Sequence, residues 1–443
     1  MTRLTAWHIL RSGSSTPLRD VDRVADAHHV AALDRALLRR IIGTEVRRRT
    51  TLRAVLRHIA PANLNAELAT HLHVALVQIL FMDKIPEHAV RSECLDAVRR
   101  TLGPSKVRIA REVIVAAYEQ LQQGRLGDPR RDLELRNAHM RDAVFQDPAV
   151  HPLLWAEDAL SMPAPLLKRF VARFGEERAF GLARFALEEP PLSVRVVTGT
   201  REALAAELAG IETRPGVHDT VLLASASDAE AVSSSAAFVE GRATIQGESA
   251  LRAAEAMEAR EGEELLDLCA APGGKTAVLA QGGARVVACD VSEEKLARVA
   301  STLERLKLRE QVELVCSDGG AALGERKFDG VLVDAPCSNT GVLAQRPEAR
   351  WRFSPKTKTE LVALQTRLFE RGASFVKPGG RIVWSTCALD SDENRRAVDA
   401  FLAAHAGWSL EEDAEALPGL DTTQQRGAGP IDGGYFARLR RAR

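Results

Sequence analysis

No stretch of this chain is apolar for long enough to cross a bilayer. The opening MTRLTAWHILRSG has neither the long apolar core nor the small-residue cleavage site of a signal peptide, so a cytoplasmic protein is expected. None of the six cysteines (Cys94, Cys269, Cys289, Cys316, Cys337, Cys387) forms a C-x-x-C pair, and no histidine lies between His218 and His405. A metal site in the second half is therefore not expected. There is no internal repeat of about 20–50 residues, which excludes a solenoid or propeller. Net charge is absent as well, since 60 Lys/Arg balance 60 Asp/Glu. The balance is uneven, however: residues 1–60 carry 12 Lys/Arg against 5 Asp/Glu, and the remainder is net acidic. An arginine-rich front end in a neutral protein fits either a polyanion partner or a solvated helical face.

What is present is enough for two or three domains: 443 residues, of which 45% are hydrophobic. Residues 1–130 read as helical. Leu68, Leu72, Ala75, Leu76, Ile79 and Leu80 recur at spacings of three and four, one face of a helix. Gly103-Pro104 and the stretch GRLGDP (124–129) break the pattern, the second marking a domain boundary. Residues 131–240 read as a mixed connecting subdomain, with helical stretches over 165–187, a strand at SVRVV, and a Ser/Ala-rich segment (224–237) that fits a loop or a short helix. From residue 241 to the end, short apolar runs (ELLDL, RVVACD, VELVCSD, FDGVLVDAP, GRIVWSTC) alternate with helices near 293–307 and from 356. That rhythm predicts an all-α N-terminal domain followed by an α/β, Rossmann-like domain on a mostly parallel, doubly wound sheet. Ligands of such sheets bind at the carboxyl ends of the strands.

The loop after the first of these strands reads Asp267-Leu-Cys269-Ala270-Ala271-Pro272-Gly273-Gly274-Lys275-Thr276. Paired glycines at a helix start let the backbone approach a ligand closely. A P-loop needs glycine where Cys269 stands, and the dinucleotide pattern G-x-G-x-x-G is missing. What remains suits the amine and carboxylate of a small cofactor such as S-adenosylmethionine. Asp290 at the tip of the second strand is placed to accept from ribose hydroxyls. Asp318 after the third is placed to meet an adenine amino group, and Asp334 ends the fourth. Four strands ending in Asp267, Asp290, Asp318 and Asp334 predict one cleft.

Two cysteines follow strands on that same sheet edge. Cys337 sits in Asp-Ala-Pro-Cys-Ser-Asn-Thr-Gly and Cys387 in Trp-Ser-Thr-Cys-Ala. Cys289 and Cys316, flanked by apolar residues within strands, read as core thiols. Cys337 and Cys387, among Pro, Ser, Thr and Asn, do not.

LDLCAAPGGKT, VDAPCSNTGVL and WSTCALDSDEN resemble three signature motifs of the RNA 5-methylcytosine methyltransferases. Residues 34–38 (DRALL) and ALVQILFMDKIPEHAV resemble the NusB-like RNA-binding domain that precedes the catalytic unit in the small-subunit ribosomal RNA methyltransferase B branch. DGGYFARLRR resembles that branch's final hairpin. The resemblance implies methyl transfer from S-adenosylmethionine to carbon 5 of an unstacked RNA cytosine, most naturally in 16S ribosomal RNA, by a monomer. It implies Cys387 as nucleophile, Cys337 as the aid to product release, and Asp334 on the cytosine ring edge. Lys275 would steady the adduct or lower a thiol pKa. The cofactor would lie against residues 269–275, Asp290, Asp318 and Asp334. The rival assignment makes Cys337 the nucleophile, since DNA cytosine-5 methyltransferases use a Pro-Cys. A transfer RNA target, and a non-catalytic RNA-binding assembly factor on the same fold, are the alternative functions. Arg346, Arg350, Trp351 and Arg352 follow the Pro-Cys motif and read either as an RNA clamp or as a solvated loop with one buried tryptophan.

The chain departs from the family pattern at three places: Gly247 where Asp is usual after Gln246, Val197 where Asn is usual, and Ala344-Gln-Arg346-Pro-Glu348 after the Pro-Cys motif. These bear on RNA positioning and substrate choice rather than on the cofactor loop or the cysteines.

Overall fold

The computed structural model describes residues 1–62, 64–419 and 431–443. It divides into two compact units, Met1–Glu188 with Arg346–Ser354, and Glu189–Gln345 with Pro355–Arg443.

The first unit is helical: α1 Thr2–Arg11, α2 Pro17–Ala27, α3 Ala32–Ile59, α4 Ala66–Phe81, α5 Glu87–Leu102 and α6 Pro104–Gln120. A short antiparallel hairpin of β1 (Leu121–Gln123) and β2 (Ala138–Met140) leads to α7 Pro152–Ala159, α8 Ala164–Phe174 and α9 Glu176–Phe185. The stripe read from the sequence lies on α4, whose residues are buried almost all round and which packs against α1, α3, α5 and α6. Asn65 caps it, its side chain accepting from the Leu68 amide at 2.8 Å. Pro104 stands at the first turn of α6, where its missing N–H costs nothing.

The second unit begins with a four-stranded antiparallel sheet, β3 Leu192–Val196, β4 Thr213–Pro215, β5 Val221–Ala224 and β6 Ala243–Ile245, in the order β4-β5-β3-β6. α10 Arg201–Glu207 packs beside it. The Ser/Ala-rich segment is resolved into a 3-10 turn and two short helices, α11 Ala229–Ser234 and α12 Ala236–Val239. α13 Glu248–Glu255 then leads to a seven-stranded sheet. Its strands are β7 Glu264–Asp267, β8 Arg285–Asp290, β9 Val312–Cys316, β10 Phe328–Asp334, β11 Val376–Thr386, β12 Trp408–Ala416 and β13 Gly434–Arg441. The spatial order is β12-β13-β11-β10-β7-β8-β9. The five strands from β11 to β9 pair in parallel, and the closing β12–β13 hairpin adds an antiparallel edge. α14 Gly274–Gln281, α15 Glu293–Arg305, α17 Pro355–Ser374 and α18 Arg395–Ala404 complete this unit, and α16 Ala349–Arg352 belongs to the first. Two buried apolar layers flank the sheet, one containing Phe328, Phe369, Trp384 and Phe401, the other Leu279, Val286, Val299 and Val383.

The chain runs outward from β7 through β8 to β9, then returns to place β10 on the other side of β7. β7 and β10 thus flank the topological switch point, where open α/β sheets hold their ligands. Cys289 is buried within β8 as expected, whereas Cys316 is exposed. Its strand ends there beside solvent, so the apolar neighbours in sequence did not place it in the core.

Candidate active site

The glycine loop leaves β7 and enters α14 through Gly273, whose φ of 101° is left-handed and whose place a Cβ would share with Val299 at 3.2 Å. The Ala270 amide donates to the Cys289 carbonyl (3.0 Å), and Gly273 closes back on Ala270 (2.7 Å). Asp290 is buried at the tip of β8 and accepts from the Ala271 amide (3.2 Å), the Val291 amide (2.8 Å) and Lys295 Nζ (3.1 Å). It therefore shapes the glycine loop as well as facing the strand ends. Asp318 is exposed and makes no hydrogen bond among the described residues. Burial pushes the Cys269 thiol far above its ordinary value, with Asp267 adding to the effect.

Two groups beside this loop were not singled out from the sequence as ligand contacts. Asp267 is buried, receives the Thr276 hydroxyl on Oδ2 (2.7 Å), and leaves Oδ1 without a partner. Burial pushes its carboxyl up to about 7. Gln246 lies over Gly274, buried, with neither amide atom hydrogen-bonded. Such orphaned buried polar atoms need partners. A polar, amine-bearing small molecule supplies them, so the residues present fit the cofactor expected from the sequence. Gly247 explains its own departure. A Cβ there would meet Asp432 Oδ2 at 2.3 Å, and the Asp432 carboxylate accepts from the Ser249 amide at 3.3 Å. The cap that a side chain at 247 would give α13 comes instead from the loop before β13. Val197 donates its amide to the Arg242 carbonyl and accepts from Gln281 Nε2 through its own carbonyl.

β10 and β11 are neighbours, so the Pro-Cys and Thr-Cys loops leave the sheet side by side. Cys337 Sγ lies 3.2 Å from Cys387 Sγ. Asn339, in a left-handed conformation, places Oδ1 3.4 Å from Cys387 Sγ while Nδ2 donates to the Cys337 carbonyl. The hydrogen bond to Cys387 and then burial push the Cys337 thiol well above its ordinary value. Lys275 Nζ reaches Asp334 Oδ2 at 2.6 Å, and Ser385 holds Asp334 Oδ1 at 3.1 Å. Burial opposes the Lys275 charge, but Asp334 outweighs it, and the nearby Cys387 adds to the upward shift.

Buried side chains support both loops. Glu393 accepts from the Ser338 amide (2.8 Å) and from Gln365 Nε2 (2.9 Å). Asn394 accepts from the Thr386 hydroxyl (2.6 Å) and donates to the Ala388 carbonyl (2.9 Å). Thr340 receives the Leu389 amide (2.8 Å), tying one cysteine loop to the other. Glu393 and Asn394 stood in the quoted WSTCALDSDEN; nothing in their spacing distinguished them from solvated polar residues.

Among the described residues no group of His, Cys, Asp and Glu could hold a metal ion, and no helix is long and apolar enough to cross a membrane.

The family model for 16S rRNA methyltransferase RsmB/F matches residues 254–439, and that for the NusB family matches residues 4–121. The ribosomal RNA small subunit methyltransferase B of Shigella flexneri is 30% identical over 378 residues, 83% of this chain and 80% of the relative. The chain belongs to the 16S rRNA methyltransferase RsmB/F family. The like-named protein of Erwinia tasmaniensis is 36% identical over 215 residues, 47% of this chain; that match spans about half the relative's length, 49%. The crystal structure of a protein named PH0851 shares the fold, with a TM-score of 0.74 at 24% identity over 98% of this chain and 97% of that one. For this family member the two cysteine loops, the glycine loop and the Lys275–Asp334 pair occupy one sheet edge.

Proposed function

We propose that this protein transfers a methyl group from S-adenosylmethionine to carbon 5 of an RNA cytosine, with 16S ribosomal RNA as substrate, acting as a monomer in the cytoplasm. The observation that carries the reading is the pair of thiols 3.2 Å apart at the switch-point edge, beside the part-buried Lys275–Asp334 pair. Residues 269–275, Asp290, Asp318 and Asp334 would hold the cofactor, joined by Asp267 and Gln246. When bound, the cofactor supplies an electrophilic methyl on a sulfonium.

Cytosine carbon 5 is a weak nucleophile. Cys387 adds as thiolate to carbon 6, which makes carbon 5 enamine-like and able to accept the methyl. Asp334 hydrogen-bonds the ring edge, where charge changes as the thiolate adds. Lys275 balances negative charge at Asp334 and Cys387. The carbon-5 proton is then lost, the C5=C6 bond re-forms, and Cys387 leaves as thiolate. Cys337, whose sulfur lies within hydrogen-bond reach of the Cys387 sulfur, assists that release.

The proposed functional division runs 1–130 (RNA-binding), 131–240 (connecting) and 241–443 (methyltransferase). The two family models end at 121 and begin at 254, leaving the middle to neither. The test is incorporation of labelled methyl from S-adenosylmethionine into 16S RNA, read by bisulfite sequencing. Absence of any bisulfite-resistant cytosine would end the proposal.

A further inference from the structure

The helical unit contains a cleft of about 1260 Å³. Small-molecule sites run from about 300 to 1,000 Å³, so this one exceeds what a single metabolite fills. α3 lines it with Arg49, Arg53 and Arg57, spaced four apart on one helical face, where like charges repel. Glu45 offsets Arg49 at 2.8 Å, and Asp158 offsets Arg57 at 2.5 Å. Arg53 has no ion pair among the described residues, and neither do Arg11 and Arg352, which line the same cleft. Arg49 and Arg57 repel Arg53 and Glu45 offsets only part of that, so a polyanion in the cleft would be favoured.

The opposite wall comes from α16. Trp351 is fixed by its Nε1 donating to the Val46 carbonyl at 2.8 Å, and the Arg49 guanidinium lies over its ring, 5.2 Å from the centroid. The ring is half-buried and lines the cleft. Glu348 also lines it, 6% exposed, with Oε2 making no hydrogen bond. A buried acceptor without a donor is costly unless a ligand supplies one. Cations for phosphates, a held aromatic ring for a base face, and an acceptor for an exocyclic amino group together make the chemistry of single-stranded nucleic acid recognition.

We propose that this cleft docks an unpaired RNA segment, its phosphates on Arg11, Arg53 and Arg352, a base stacked on Trp351, and an amino edge on Glu348. The inference rests on the reading of the chain as an RNA methyltransferase and adds a substrate-docking site outside the catalytic unit. A duplex stacks its base faces away and offers none to Trp351, so the cleft selects single strands. Arg350 takes no part in it. It is fully buried and donates to the carbonyls of Ser161 (3.0 Å), Ala186 (2.6 Å) and Pro347 (3.1 Å), fixing α16 rather than gripping RNA.

The test is fluorescence anisotropy of the full chain with a labelled single-stranded RNA and with a matched duplex, across a salt series. Arg53→Glu and Arg352→Glu should each weaken single-strand binding about tenfold or more, a change of about 1.4 kcal/mol. Each should also flatten the salt slope by about one. S-adenosylmethionine affinity should stay unchanged. RNA carrying 4-thiouridine should photo-crosslink to the peptide containing Trp351, a readout independent of any variant's folding. Wild-type affinity in both variants, or crosslinks confined to the catalytic unit, would overturn the proposal. Equal loss of duplex RNA or of a poly-glutamate peptide, with no crosslink at Trp351, would show a general anion face and overturn it too. Wild-type protein that binds RNA here yet transfers no methyl would refute the enzymatic reading and leave the cleft standing.

Discussion

The Asp432 carboxylate stands where a side chain at Gly247 would be, and it accepts from the Ser249 amide that such a side chain would cap. One helix of the methyltransferase unit is therefore capped from 183 residues away. Asp432→Ala should lower stability by roughly 0.5–2 kcal/mol, the cost of a lost N-cap. Gly247→Asp alone should also destabilise, since the new Cβ collides with the resident carboxylate. The double variant should recover most of both losses, because a local cap then replaces the distant one. Urea unfolding of the four proteins measures the coupling, and additive losses would contradict the exchange.

A second expectation concerns pH. Burial raises the carboxyls of Asp267, to about 7, and Asp432, to about 6. Both lie above the unfolded value of about 3.9. Between those limits the folded state holds more protons than the unfolded state, so stability should fall as pH rises from about 4 to about 7. Asp267→Asn should remove its part of that slope. A cofactor bearing positive charge favours the ionised carboxylate, so cofactor affinity in the wild type should rise through pH 7 and become flat in Asp267→Asn. Calorimetry across pH 6–8 checks this, and the same slope in both proteins would exclude Asp267 from the cofactor site.

Asp290→Ala should weaken S-adenosylmethionine binding by roughly 1.5–3 kcal/mol, the worth of a charged hydrogen-bond acceptor. Because Asp290 also accepts from the Ala271 amide, the same substitution should loosen the glycine loop. Faster amide exchange at Ala271 together with weaker binding is the expected pair of results. Unchanged affinity would reduce Asp290 to a structural tie.

The parts legible in the sequence were those with local periodicity or a short motif. The spacing of Leu68, Leu72, Leu76 and Ile79 gave α4, and the alternation of apolar runs with helices gave the parallel sheet. The glycine loop and both cysteines could be read because a few adjacent residues define each. Long-range substitution was invisible: nothing in Gln246-Gly247 announces that Asp432 completes the cap. Nor does the sequence around Arg350 reveal that it is fully buried against backbone carbonyls, or that Arg346–Ser354 counts with the helical unit. Such residues were expected at a surface because charged side chains usually stay there, and only tertiary hydrogen bonding reverses that.

Two sulfurs 3.2 Å apart divide the work of attack and release, and adduct formation with 16S RNA tests that division. Cys387→Ala should form no covalent bond to RNA and should transfer no methyl. Cys337→Ala should attack and methylate but release slowly, so a protein–RNA species should survive denaturing electrophoresis and vanish on ribonuclease treatment. That species should build up only with S-adenosylmethionine present, because unmethylated adduct reverts to free thiol and cytosine. Accumulation in Cys387→Ala instead would reverse the two assignments, and absence of adduct from both variants would contradict the release mechanism outright.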